Sequence, residues 1–165
     1  MRRIVYFLFP LALLGVLAYV VTTSASLPER VASHFGANGM ANGYMTRDGY
    51  RTFIMLFALG VPIFVVAIVG LLPRAFPGAI NIPDRDYWLA PERRENTLGY
   101  LTGWACSLGS ILALFIAAIH SAVRVANEYD PPRLPATLFF MVLAAFGVAM
   151  VVWIAALATH FRRRS

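Results

Sequence analysis

The chain contains no lysine. Its fourteen basic residues are all arginine, set against eight acidic ones for a net charge of +6. Charge of either sign is scarce, 13% of residues against ~25% in soluble domains. A basic balance in a soluble protein would suggest nucleic acid, but here the arginines flank long apolar runs, so orientation in a bilayer and lipid headgroups explain them and nucleic acid does not. There is one cysteine, Cys106, inside such a run. A single cysteine excludes an internal disulfide and a cysteine-based zinc site. No Asp or Glu lies deep in any apolar run, which argues against a carboxylate relay for protons or cations. No nucleophile–base motif, zincin signature, glycine-rich phosphate loop or paired-acid motif is present, and the sequence implies no cofactor.

What is present is apolar length. Asp, Glu, Lys and Arg are all missing from Ile4 to Pro28, Thr52 to Pro73, Asn96 to Val123 and Leu134 to Phe161. Each run exceeds the ~20 residues a helix needs to cross a bilayer core. The expected architecture is an all-α integral membrane protein, a single domain over 1–165 with four transmembrane helices at about 4–22, 53–72, 98–122 and 134–160. The first run follows Met1-Arg2-Arg3, as a secretory signal would. It is longer than the ~7–15 apolar residues of a signal, so it is read as a retained anchor. The loops are then 23–52, 73–97 and 123–133.

Arginine placement orients the chain. With both termini inside, the inner side carries Arg2, Arg3, Arg74, Arg85, Arg93, Arg94, Arg162, Arg163 and Arg164, and the outer side Arg30, Arg47, Arg51, Arg124 and Arg133. The excess favours a multi-pass protein of the bacterial cytoplasmic membrane with cytoplasmic termini.

In the third run Ala105, Gly109, Ala113, Ala117 and Ser121 recur every fourth residue, and Gly99, Gly103 and Ser107 form a second stripe. Such stripes let helix backbones approach closely. Packing within the chain is the plainer use, and a homo-oligomer through the small faces of span 3 is the alternative. Pro10 and Pro62 are expected to kink spans 1 and 2. His120 and His160 sit near opposite ends of their spans, where snorkelling to the interface accounts for them.

The first loop is dense in turn chemistry. Asn38-Gly39 and Asn42-Gly43 suit tight turns with positive φ. Val31 and Phe35, four apart, suggest a short amphipathic helical turn, and the whole reads as a compact extracytoplasmic cap. His34 admits three roles: a structural one bonded to the turn and stacked near Phe35, a contact to a ligand or partner, or a metal ligand with Glu29 and Asp48. In the second loop Tyr87 and Trp88 are interfacial rings. Pro91 and Glu92 suit the first turn of a helix, and Arg93 and Arg94 would meet anionic headgroups. A cytoplasmic interfacial helix leading into span 3 is expected, with docking of a cytoplasmic protein as the other use.

Leu27-Pro28, Val31, His34-Phe35, Gly39 and Asn42-Gly43-Tyr44, with Asn81-Ile82-Pro83 and Tyr87 to Arg94, resemble the motifs of a bacterial membrane family. This is domain-of-unknown-function family 1648, which also forms the N-terminal part of SdpI-type immunity proteins. Asn42 stands where its pattern has Asp. The resemblance implies a non-enzymatic inner-membrane binding or sensing protein. Its partners would be the lipid bilayer and a membrane-active peptide toxin or a cytoplasmic regulator. The alternative is a small membrane-embedded enzyme, or a lipid- or envelope-modifying factor, that uses the His34 loop.

Overall fold

The computed structural model describes residues 2–162; Arg163 and Arg164 of the orientation count lie outside the described residues. The elements in order are α1 (Arg2–Ser24), β1 (Arg30–Phe35), β2 (Ala41–Thr46), α2 (Arg47–Val66), a π-helical turn (Ala67–Leu71), α3 (Leu72–Ala75), a 3₁₀ turn (Pro77–Ala79), α4 (Arg85–Trp88), α5 (Pro91–Ala126) and α6 (Ala136–Phe161). Four helices, Ile4–Ser24, Arg47–Ala75, Pro91–Ala126 and Ala136–Phe161, are long and apolar enough to cross a membrane. The protein is a multi-pass membrane protein.

α5 is the central post, touched by α1, α2 and α6. The first small-residue stripe explains how. Ala105 and Ala113 are fully buried, and a Cβ on Gly109 would meet Phe9 at 2.6 Å and Val66 at 2.8 Å. Bare backbone at Gly109 lets α1 and α2 close on α5 together, so this stripe packs within the chain. The second stripe faces elsewhere: a Cβ on Gly103 would meet nothing within 4 Å. There Ser107 Oγ accepts from Trp153 Nε1 at 3.0 Å, which holds α6 to α5. Pro10 and Pro62 both lie inside continuous helical stretches. The regular α2 ladder instead loosens at the π turn, where Thr102 of α5 donates to the Gly70 carbonyl at 2.9 Å. A side chain inserted into the ladder is a sufficient cause of such a turn.

The first loop departs from the expected helical turn. Val31 and Phe35 belong to an antiparallel hairpin, β1 against β2, with irregular register around His34. A spacing of four fits one face of a strand as well as one face of a helix. Val31 is fully buried beside Val20, Leu27, Tyr50 and Ile116, so the hairpin is rooted in the bundle core. This is how a two-stranded sheet, marginal by itself, holds its shape.

At the other end of the bundle α4 carries Tyr87 and Trp88. Thr97 Oγ1 of α5 donates to the Trp88 carbonyl at 2.8 Å. Pro91 and Glu92 open α5 as expected, but α5 runs as one helix of 36 residues with no separate interfacial segment. Arg93 is held by its neighbours at the surface: its guanidinium lies 4.1 Å from the Tyr87 ring centroid and 2.8 Å from Glu92. Arg94 is exposed. His160 stacks on Tyr100 at 3.5 Å between centroids, with Trp88 at 5.6 Å. Tyr100 and His120 are twenty residues apart on α5, roughly 30 Å at ~1.5 Å per residue, so the two histidines do occupy opposite ends.

Candidate functional site

The hairpin end gathers the motif residues of the first loop. Leu27 is buried beneath the hairpin, Pro28 is exposed beside it, and Phe35 packs half-buried on the core. Gly39 adopts φ 78° at the tip, the left-handed conformation that Asn-Gly predicts, and a Cβ there would meet the Leu134 carbonyl at 3.0 Å. Gly43 is different. It lies within β2 without positive φ, and what requires glycine is His34, whose Cβ would stand 2.9 Å from a Cβ added at Gly43. The paired register places His34 directly across from Gly43.

His34 Nδ1 lies 2.6 Å from Asn42 Oδ1. An amide oxygen only accepts, so Nδ1 carries the proton in this bond. The partner is thus a side chain on the facing strand and not the turn backbone. Glu29 and Asp48 are not gathered with His34: among the described residues no three His, Cys, Asp or Glu side chains come together as metal ligands would. Beneath the tip, between the hairpin and the adjoining ends of α5 and α6, lies a cavity of about 520 Å³. Ser33, His34 and Asn38 supply its polar lining, and Ile119, Phe139 and Phe140 part of its apolar lining. Phe140 is 65% exposed, so the cavity adjoins the lipid-facing surface of α6.

Two features that hold this cap lie outside the expected residues. Asn127, just past the end of α5, accepts from Ala32 N–H at 2.8 Å and donates to the Ala32 carbonyl at 2.9 Å and the Val123 carbonyl at 2.8 Å. One amide thus copies the pairing of a neighbouring strand and pins β1 to α5. The second feature is His120. Snorkelling does not describe it: it is 0% exposed, enclosed by α1, α2 and α5 directly beneath the hairpin. Its Nδ1 lies 2.9 Å from Tyr50 Oη and its Nε2 2.9 Å from Thr23 Oγ1.

The direction of these bonds follows from proton supply. Thr23 Oγ1 donates to the Tyr19 carbonyl at 2.5 Å, so it accepts from His120 Nε2–H. His120 Nδ1 then accepts from the Tyr50 hydroxyl. Beside them Ser121 donates to the Ala117 carbonyl at 3.1 Å and therefore accepts from Tyr19 O–H at 2.6 Å. Every donor has an acceptor, with the imidazole neutral. A Thr–His pair at this distance could pass for a nucleophile and its base. Here the histidine donates to the hydroxyl, so it takes no proton from Thr23, and the cluster is a strut joining three helices.

The motif residues of the second loop, Tyr87, Trp88 and Pro91 to Arg94, stand at the far end of the bundle and form no common site with the hairpin. Residues 11–61 match the family model described as Domain of unknown function (DUF1648). The match covers 51 of the chain's 165 residues, and this stretch is what is similar to the family. That stretch runs from α1 through the hairpin into α2, so it holds His34, Gly39, Asn42, Gly43 and Tyr44, and also Tyr19, Thr23 and Tyr50 of the strut. His120 and Asn127, which complete the strut and the clamp, lie beyond the DUF1648 match. No curated protein and no solved structure matches the chain. The strut partners are 70 and 97 residues from His120 in sequence, a separation at which no local pattern announces them.

Proposed function

We propose that the protein is a non-enzymatic binding or sensing protein of the bacterial cytoplasmic membrane, SdpI-like, whose hairpin cap faces outward and receives a membrane-active peptide. Protection of the producing cell is the consequence. The observation that carries this reading is the cavity beneath the hairpin tip. It joins a polar rim at His34 to an apolar floor at the exposed face of α6, a lining suited to a guest that lives at the membrane surface. The arginine excess on the termini and the Trp88 end supports cytoplasmic termini. A cytoplasmic regulator has the exposed Trp88 end of the bundle to dock on.

The test is a deletion strain challenged with a panel of membrane-active peptides. Greater sensitivity to at least one peptide is expected, restored by the wild-type gene. His34→Ala, which removes an exposed ring and one bond to Asn42, should insert and fold yet fail to restore protection. A deletion strain no more sensitive than its parent to any peptide would overturn the reading.

A further inference from the structure

The hairpin is a sheet with one edge left open. On the β1 side the edge is closed, because the Asn127 amide takes both the N–H and the C=O of Ala32. Both Ala32 groups therefore point away from β2. Ala32 pairs with Tyr44 in the register, and residues opposite each other in an antiparallel ladder share the sense of their backbone groups. The Tyr44 N–H and C=O consequently point away from β1. The bond from Arg47 N–H to the Glu29 carbonyl, 2.9 Å, fixes the same alternation from the other end: Arg47 inward, Thr46 outward, Met45 inward, Tyr44 outward.

A third strand is already begun along this edge. Ala41 N–H donates to the Pro132 carbonyl at 3.2 Å, Leu134 N–H to the Gly39 carbonyl at 2.8 Å, and Met40 bridges Arg133 in antiparallel sense. Because Pro132 stands opposite Ala41 and Leu134 opposite Gly39, the segment runs away from Tyr44 toward the tip and α6. The residues before it turn back to the end of α5, where Arg133 N–H donates to the Ala126 carbonyl at 3.1 Å. The outward groups of Tyr44 meet no partner among the described residues. Alongside lies a shallow depression of about 630 Å³ reaching from Glu29 and Arg30 across Asn42 to Thr46. Arg30 lies over the Tyr44 ring at 4.4 Å. Both ion pairs among the described residues are at the Trp88 end, so Arg30 and Arg47 flank β2 without a carboxylate, although Glu29 and Asp48 adjoin them in sequence.

We infer that the open edge of β2 at Tyr44 takes an extended peptide segment as an added antiparallel strand, continuing the pairing that residues 132–134 begin, with an acidic side chain of the peptide set against Arg30. Row-on-row backbone pairing supplies affinity in this mode, and side chains beside the edge supply selection. The inference rests on the peptide-binding reading above for the class of its guest, and adds a contact on the same hairpin separate from the cavity beneath the tip.

The probe is a library of short synthetic peptides of alternating valine and threonine with one glutamate at varied positions, titrated against the full chain in lipid nanodiscs. The best binder is then remade with N-methylated backbone amides, and with lysine for glutamate. Binding should weaken by at least about tenfold on N-methylation, the scale of one or two lost backbone bonds, and it should also weaken on charge reversal. Arg30→Glu should restore the lysine peptide. Tyr44→Pro should abolish the difference between methylated and parent peptides; its lost N–H lies outside the β1–β2 ladder, and the methylated peptide leaves the protein untouched. Equal binding of methylated and parent peptides, or no binder in the library, overturns the edge. Failure of the deletion phenotype while the peptides still bind through Tyr44 would instead remove protection and leave the edge standing.

Discussion

Gly109→Val will cost the folded bundle about 3 kcal/mol or more, the upper range for overpacking a filled site. The reason is local. Two atoms from two different helices, Phe9 Cε2 and Val66 Cγ2, already stand 2.6 and 2.8 Å from where the first added carbon must go. The half-buried Phe9 ring can turn aside in part, but Val66 is buried and β-branched, so relief there displaces α2 from α5. Gly103→Val is the matched comparison on the same helix, with open space at its Cβ. It should cost less than about 1 kcal/mol, the propensity range for a helix. Reversible unfolding in mixed micelles measures both. Equal losses would show that α1 and α2 do not close on Gly109.

His120→Leu carries the second large effect, about 2–3 kcal/mol. Leucine fills much of the space but leaves the Tyr50 hydroxyl, on a residue 2% exposed, without its acceptor, and Thr23 without its donor. Orphaned buried groups of this kind cost ~1–3 kcal/mol each, tempered in membrane bundles by alternative partners. If the bond direction is as derived, Tyr50→Phe removes the same donor that His120→Leu strands, and the double variant should lose clearly less than the two single losses added. Strict additivity in the unfolding measurement would contradict the strut. His160→Leu supplies the contrast, since that ring is exposed and held by stacking on Tyr100.

The four helices were legible because their signal is crude and long: uninterrupted stretches without charge. Gly39 was legible because Asn-Gly at a tip leaves few alternatives. Gly43 carries the same dipeptide and a different cause, the close pass of His34 on the facing strand, which sequence cannot show without the register. The hairpin differs from the helical turn that Val31 and Phe35 suggest, because a spacing of four is common to both periodicities. His34 and its neighbours stood out by composition. His120 did not, because its meaning depends on Thr23 and Tyr50 arriving from two other helices, and a histidine near the end of an apolar run looks the same whether it faces lipid or the bundle. Asn127 has the same history. It sits past the end of a helix, where asparagine is unremarkable, and only the approach of β1 turns its amide into a clamp.

Everything proposed for the hairpin requires that it face outward, and one labelling measurement decides this. Cys106, the chain's single cysteine, is buried at 6% exposure, so the background is low. Ala37 at the hairpin tip and Gly78 near the Trp88 end are both exposed, and each is replaced by cysteine in turn. Spheroplasts are then treated with a membrane-impermeant maleimide, before and after lysis. The account predicts labelling of Ala37→Cys in intact spheroplasts and of Gly78→Cys only after lysis. Labelling of Gly78→Cys in intact spheroplasts, with Ala37→Cys protected until lysis, would place the hairpin in the cytoplasm and contradict it.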